Sequence, residues 1–208
     1  IDNIQLLDVK IDYTQTETKV NQNSAAYCFV QYIPEVAGIM VGKLITQNPL
    51  LIAYITRFIN MLICTAIMYL AIKLIPFGKN ILLTIALIPI SIEGFATMSP
   101  DGFTIAICML FIAYVLYIAF NDKKQCGKKE VAILTVLGAI VSLCKIVYMP
   151  LVFLSLIIPK EKFTDKKERI ISNTIIILVG VVLNLIWLLF GSSILLNTNT
   201  NTYLGTNE

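Results

Sequence analysis

Residues 81–120 read ILLTIALIPI SIEGFATMSP DGFTIAICML FIAYVLYIAF, forty residues in which Glu93 and Asp101 are the only charges. A membrane-crossing helix needs roughly 20 mostly apolar residues, because a rise of about 1.5 Å per residue must cover about 30 Å of hydrocarbon. This stretch holds two such lengths back to back, separated by Ser99-Pro100-Asp101-Gly102. The pattern recurs further along. From Val131 to Pro159 the one charge is Lys145, and Ile171 to Leu204 has none. A soluble protein buries one such helix, but not five or six in succession. The sequence therefore predicts an all-α, polytopic integral membrane helix bundle.

Composition points the same way. The 208 residues are 57% hydrophobic and 14% charged, with a mean hydropathy of +0.81; a soluble domain carries about 25% charged residues. Sixteen basic and thirteen acidic residues leave +3, too little to imply a nucleic-acid partner. A disordered chain, a nucleic-acid-binding domain and a disulfide-stapled miniprotein are excluded. Histidine is absent, which removes His-based zinc sites, Ser–His triads and His proton relays. No CxxC and no Gly-rich phosphate loop occurs among the residues.

Working outward, membrane segments are expected at about 48–76, 81–98, 102–121, 131–144, 147–159 and 171–193, so about six. Ile33, Val36, Ala37, Met40, Val41 and Leu44 recur at helical spacing. That places a helix within 32–47, too short to span, which suits an interfacial or re-entrant position on the outer side. Phe77-Gly78-Lys79-Asn80 reads as a tight turn. Residues 1–31 and 194–208 read as extracytoplasmic loops, the latter holding an Asn/Thr repeat at Asn197–Thr202. The chain starts at Ile1 and stops in a polar stretch, and is expected to be an internal fragment of a longer protein.

Lys and Arg concentrate in cytoplasmic loops. Loops 73–80, 122–130 and 160–170 carry eleven of the sixteen basic residues, so these three are expected inside a plasma membrane. For both of the last two to be inside, 131–159 must cross an even number of times. That favours a hairpin turning around Lys145 over one long kinked helix.

Ionisable groups within apolar runs are functional candidates by default. Asp101 is expected to be catalytic, as a base or as a ligand for a divalent metal with phosphate. Its competing reading is a helix start, with Ser99 as N-cap and Pro100 in the first turn. Glu93 is the second catalytic candidate, its bland alternative being a buried ion pair with Arg57 or Lys145. Arg57, with Asn60 one turn on, is expected to bind phosphate or carboxylate. Lys145, beside Tyr148 at the hairpin apex, suits an anionic headgroup, or simply snorkels to the interface. Tyr27, Tyr32, Tyr54, Tyr114, Tyr117 and Tyr148 mostly fall at expected helix ends and read as an aromatic belt, and the basic loops as topology alone.

The spacing of several residues resembles a known bacterial family. These are Tyr27…Tyr32-x-Pro34…Gly38…Gly42, Tyr54-x-x-Arg57-x-x-Asn60 and Ala71-Ile72-Lys73-x-x-Pro76-x-x-Lys79. Leu87-Ile88-Pro89 and Ser99-x-Asp101 follow, then Lys145-x-x-Tyr148-x-Pro150-Leu151 and Pro159-Lys160-x-x-Phe163. Together they look like the predicted membrane proteins called domain of unknown function 2142, from about Tyr27 to Phe163. Cys28-Phe29-Val30 departs from it in lacking the proline often found after the first tyrosine. The resemblance implies similarity to GT-C membrane glycosyltransferases, which take sugar from a polyprenyl-phosphate carrier at the extracytoplasmic face. It also implies an essential acid in the first outer loop, which would precede Ile1.

Three functions are consistent with these residues. The first is a transferase of lipid-linked sugar onto a cell-envelope glycan, with Arg57, Asn60, Lys145 and Tyr148 binding substrate and Asp101 or Glu93 catalytic. The second is a transporter or flippase, and the third a non-catalytic scaffold in which the charges only pair. Membrane lipids and a polyprenyl-phosphate-linked sugar are the expected partners. No cofactor is assigned beyond the divalent metal considered at Asp101, and sugar and acceptor are not encoded in any motif.

Overall fold

The computed structural model describes residues 10–11, 27–122 and 125–204. All regular structure among them is helical: α1 (Ile33–Ile45), α2 (Pro49–Leu74), α3 (Lys79–Leu87), α4 (Pro89–Ala96), α5 (Pro100–Phe120), α6 (Lys128–Cys144) and α7 (Lys166–Leu204). A 3-10 turn at Phe29–Tyr32 leads into α1, and a 3-10 helix, Ile146–Ile157, follows α6. The chain forms two compact units, Ile1–Glu17 with Gln31–Leu110, and Thr18–Val30 with Phe111–Glu208. Large apolar side chains stand exposed along these helices, Leu44 at 87% and Val147 at 76%, as lipid-facing surfaces require and aqueous ones rarely tolerate.

In the first unit, Pro34 opens α1, and Glu35 lies in the first turn with Lys43 in the last, matching the helix dipole. Asn48 starts α2: its side chain accepts from the Leu51 N–H at 3.0 Å, with Pro49 in the first turn. A Cβ on Gly38 would lie 2.7 Å from Thr56 Cα, and one on Gly42 would lie 3.1 Å from Ile52 Cγ2. As the α1 number rises by four, the α2 number falls by four. Helix α1 thus doubles back along the first half of α2, glycine face inward, in the small-xxx-small manner of membrane helices. On α2, Ile52, Thr56, Asn60, Cys64 and Met68 form the buried stripe.

Gly78, at φ 71°, makes the expected tight turn into α3. The single helix expected over 81–98 is instead two, α3 and α4, bent by 63°. Pro89 has no N–H for the α3 ladder, and Ile88 before it is extended at φ −60°, ψ 136°, the conformation that a following proline favours. Helix α5 starts at Pro100 as expected. It is apolar on every side, and 61% of its apolar window is buried, against 22% in α2.

In the second unit, α6 ends at Cys144 and Lys145 is extended at φ −150°, ψ 138°. A Cβ on Gly138 would lie 3.5 Å from Val152 Cγ1. These residues are seven positions either side of Lys145, so 131–159 is the hairpin and not one long kinked helix. Gly180 of α7 packs against both arms: its Cβ would lie 2.8 Å from Ser142 Oγ and 3.4 Å from Val152 Cγ2. The basic loops are tied together at the hairpin base. The Cys126 N–H donates to the Lys162 carbonyl at 2.8 Å, and Lys162 Nζ donates to the Asn121 carbonyl at 2.8 Å. Loops 122–130 and 160–170 therefore share one side of this unit.

The six expected spans are not matched by six helices of spanning length among the described residues. Among the described residues, three helices are long and apolar enough to cross a membrane, Pro49–Leu74, Pro100–Phe120 and Lys166–Phe190, or four if the bent α3–α4 pair counts as one. The hairpin arms fall short at 17 and 12 residues. Helix continues over 194–204, where a loop is expected. Of the expected 1–31 loop, residues 1–9 and 12–26 lie outside the described residues, as do 205–208.

Candidate functional site

Two of the singled-out acids meet at one backbone crossing in the first unit. An added methyl on Gly102 would overlap the Gly94 carbonyl oxygen, so the start of α5 crosses α4 with backbone against backbone. Glu93 and Asp101 each immediately precede one of these glycines, and both are exposed. Asn60 fastens the corner from α2: Nδ2 donates to the Phe95 carbonyl at 3.2 Å and to the Thr97 carbonyl at 2.8 Å. Those carbonyls end α4 and have no intrahelical partner. Thr97 Oγ1 donates to the Gly94 carbonyl at 3.3 Å, and the Asp101 N–H donates to Ser99 Oγ at 3.4 Å.

Arg57 does not join this corner through an ion pair. It is exposed, and among the described residues neither it nor Glu93 makes an ion pair or a side-chain hydrogen bond. The buried Arg57–Glu93 pair considered from the sequence is not formed. Arg57 is one residue past Thr56 on the buried stripe, a rotation of about 100° that turns it off the packed face. Asn60 is on that stripe and 1% exposed. Arg57 and Asn60 are thus presented in different directions.

Lys145 and Tyr148 belong to the second unit. Lys145 Nζ lies 5.5 Å from the centroid of the Tyr27 ring, within cation–π range. The Tyr148 N–H donates to the Lys145 carbonyl at 3.0 Å, folding the chain into the 3-10 helix. Just below the apex, Asn184 Nδ2 donates to the Ser142 carbonyl near the end of α6. An asparagine from a neighbouring helix thus caps a helix end in each unit, Asn60 in one and Asn184 in the other.

Residue-by-residue reading missed Gln31 and Glu35. Gln31 is 0% exposed and neither polar atom of its side chain is hydrogen-bonded; Glu35, at 9%, leaves Oε1 unpaired. The α1–α2 register sets Glu35 at about the level of Asn60, and Cys64 lies within electrostatic range of its charge. Burial pushes the Glu35 carboxyl above its ordinary pKa. The signal in the sequence is Gln31, Glu35, Gly38 and Gly42 at helical spacing, a polar-and-small stripe opposite the apolar one.

The family described as "Predicted membrane protein (DUF2142)" matches residues 8–206. The chain belongs to that family. The match takes in both units and every residue singled out above. No curated protein and no solved structure matches the chain. In this DUF2142 chain no group of three or more metal-ligating side chains gathers among the described residues. Glu93 and Asp101 supply two carboxylates at most, so a divalent metal held by protein ligands alone does not fit.

Proposed function

We propose that this DUF2142 chain is part of a membrane-embedded, GT-C-like transferase. It would move sugar from a polyprenyl-phosphate carrier to a cell-envelope glycan at the outer face of a bacterial plasma membrane. The observation that carries this reading is the Gly94–Gly102 crossing, which brings Glu93 and Asp101 to one corner with both carboxylates exposed. With basic loops 73–80, 122–130 and 160–170 cytoplasmic, that corner faces out.

The chemistry asked of these groups is modest. One carboxylate takes the proton of the acceptor hydroxyl as its oxygen bonds to the sugar C1. The C1–O bond to the carrier breaks, and the phosphate leaves with the electron pair. Arg57, exposed in the same unit, is the cation assigned to that phosphate, whereas Asn60 is held in the corner as a cap and is not free for substrate. The test is transfer of labelled sugar from a polyprenyl-phosphate donor in vesicles bearing the full-length protein. Asp101→Asn or Glu93→Gln is expected to reduce transfer by about 10²–10⁴-fold at unchanged expression. Unchanged transfer in both variants rejects this reading.

One observation favours a transporter or flippase instead. The α3–α4 pair bends by 63° at Pro89, and discontinuous helices line substrate sites in many transporters. Movement of solute or lipid in liposomes without any sugar donor would support that second reading.

A further inference from the structure

The basic residues at the start of α7 do more than set topology. Lys166, Arg169 and Asn173 line one cavity of about 250 Å³ together with Leu156, Ile170 and Ile177. The cavity lies between the end of the 3-10 helix and the first turns of α7, wholly within the second unit. Arg169 Nη2 donates to the Leu156 carbonyl at 3.2 Å. That bond holds the guanidinium at the end of the 3-10 helix and leaves its other N–H groups available. Lys166, in the first turn of α7, adds a second cation beside the positive end of the helix dipole.

Asn173 supplies the independent observation. It is 5% exposed, it lines the cavity, and its buried Oδ1 has no hydrogen-bond partner. An unpaired buried acceptor calls for a donor from whatever fills the space. The cavity thus offers two cations at one end, the Asn173 amide with its unpaired Oδ1 and Thr174 in the wall, and Leu156, Ile170 and Ile177 as apolar lining. An anion alone would leave Asn173 unsatisfied, and a hydrocarbon alone would leave both cations unused.

We infer that this cavity is a headgroup site for an anionic phospholipid with a hydroxylated headgroup. The phosphate sits on Lys166 and Arg169, a headgroup hydroxyl donates to Asn173 Oδ1, and the top of an acyl chain lies along Leu156, Ile170 and Ile177. This assignment is independent of the transferase reading, because it uses none of its residues.

The test uses the full chain in nanodiscs of phosphatidylcholine doped with phosphatidylglycerol or phosphatidic acid, with bound lipid counted by native mass spectrometry. Phosphatidylglycerol is expected to bind best, phosphatidic acid next and phosphatidylcholine least. Lys166→Gln with Arg169→Gln should cut the anionic preference on the order of thirty-fold, at about fivefold per charge near a membrane surface. Asn173→Leu should abolish the advantage of phosphatidylglycerol over phosphatidic acid while leaving the preference for phosphate. Lys167→Gln, next in sequence but not lining the cavity, controls for general charge and should cost no more than about fivefold, the effect of one surface cation, leaving phosphatidylglycerol favoured over phosphatidic acid. Equal binding of all three lipids, or an equal loss with Lys167→Gln, overturns the site. Soluble glycerol phosphate competing as well as the lipid overturns the lipid assignment.

Discussion

Asn60 Nδ2 reaches the Thr97 carbonyl at 2.8 Å across 37 residues of chain, and so closes α4 with a side chain from α2. Asn60→Leu leaves the Thr97 and Phe95 carbonyls unpaired. The expected loss is about 1–3 kcal/mol of stability, read as a lower melting temperature in detergent. An unchanged melting temperature would show that the corner does not depend on this cap.

The two glycines of the crossing are expected to respond differently to the same substitution. A Cβ on Gly94 lies 3.9 Å from Gly102 Cα, an ordinary contact, whereas one on Gly102 overlaps the Gly94 carbonyl. Gly→Ala in a helix normally stabilises by about 0.5–1 kcal/mol. Gly94→Ala should approach that behaviour, and Gly102→Ala should destabilise by about 1–3 kcal/mol. Equal effects of the two would contradict the crossing.

Glu35 gives stability a pH dependence of definite sign. Burial raises its pKa in the folded chain, so the folded state holds the proton more tightly than the unfolded one. The contribution is fully present below the unfolded-state pKa and is lost as pH rises through the folded value. Melting temperatures from about pH 4 to about pH 8 should fall over that window. They should flatten in Glu35→Gln; a slope that survives this substitution belongs to another group.

Cys126 is expected to resist alkylation. The thiol is buried, and burial, with Glu130 and Glu168 adding to it, pushes its pKa up to about 11. Maleimide labelling near neutral pH should be slow, and should rise about tenfold per pH unit as thiolate forms. Rapid, pH-independent labelling would place this thiol outside the loop clamp.

Apolar runs made α2, α5 and α7 legible, since length and absence of charge are properties of sequence alone. Asn48-Pro49, Ser99-Pro100 and Gly78 also read correctly, because cap chemistry and left-handed turns are local. The hairpin at Lys145 followed from charge counting in the flanking loops. The break at Pro89 did not, because hydrophobicity is unchanged across Ile88-Pro89 and only a missing N–H marks it. The separation of Arg57 from Asn60 was equally hidden: three-residue spacing places both near one face. The stripe Ile52, Thr56, Asn60, Cys64 decides which of them is packed. The burial of Gln31 and Glu35 depends on where α1 lies, which Gly38 and Gly42 determine through contacts with a different helix.

The clamp between the basic loops means that the chain leaves and re-enters the hairpin at one place. Cys126 and Lys162 are hydrogen-bonded at its base, with Asn121 bonded alongside. Residues 127–161 are therefore a closed detour between α5 and α7. Its two ends are pinned together, so the detour enters and leaves through one gate, while Gly180 and Asn184 of α7 hold its arms along their length.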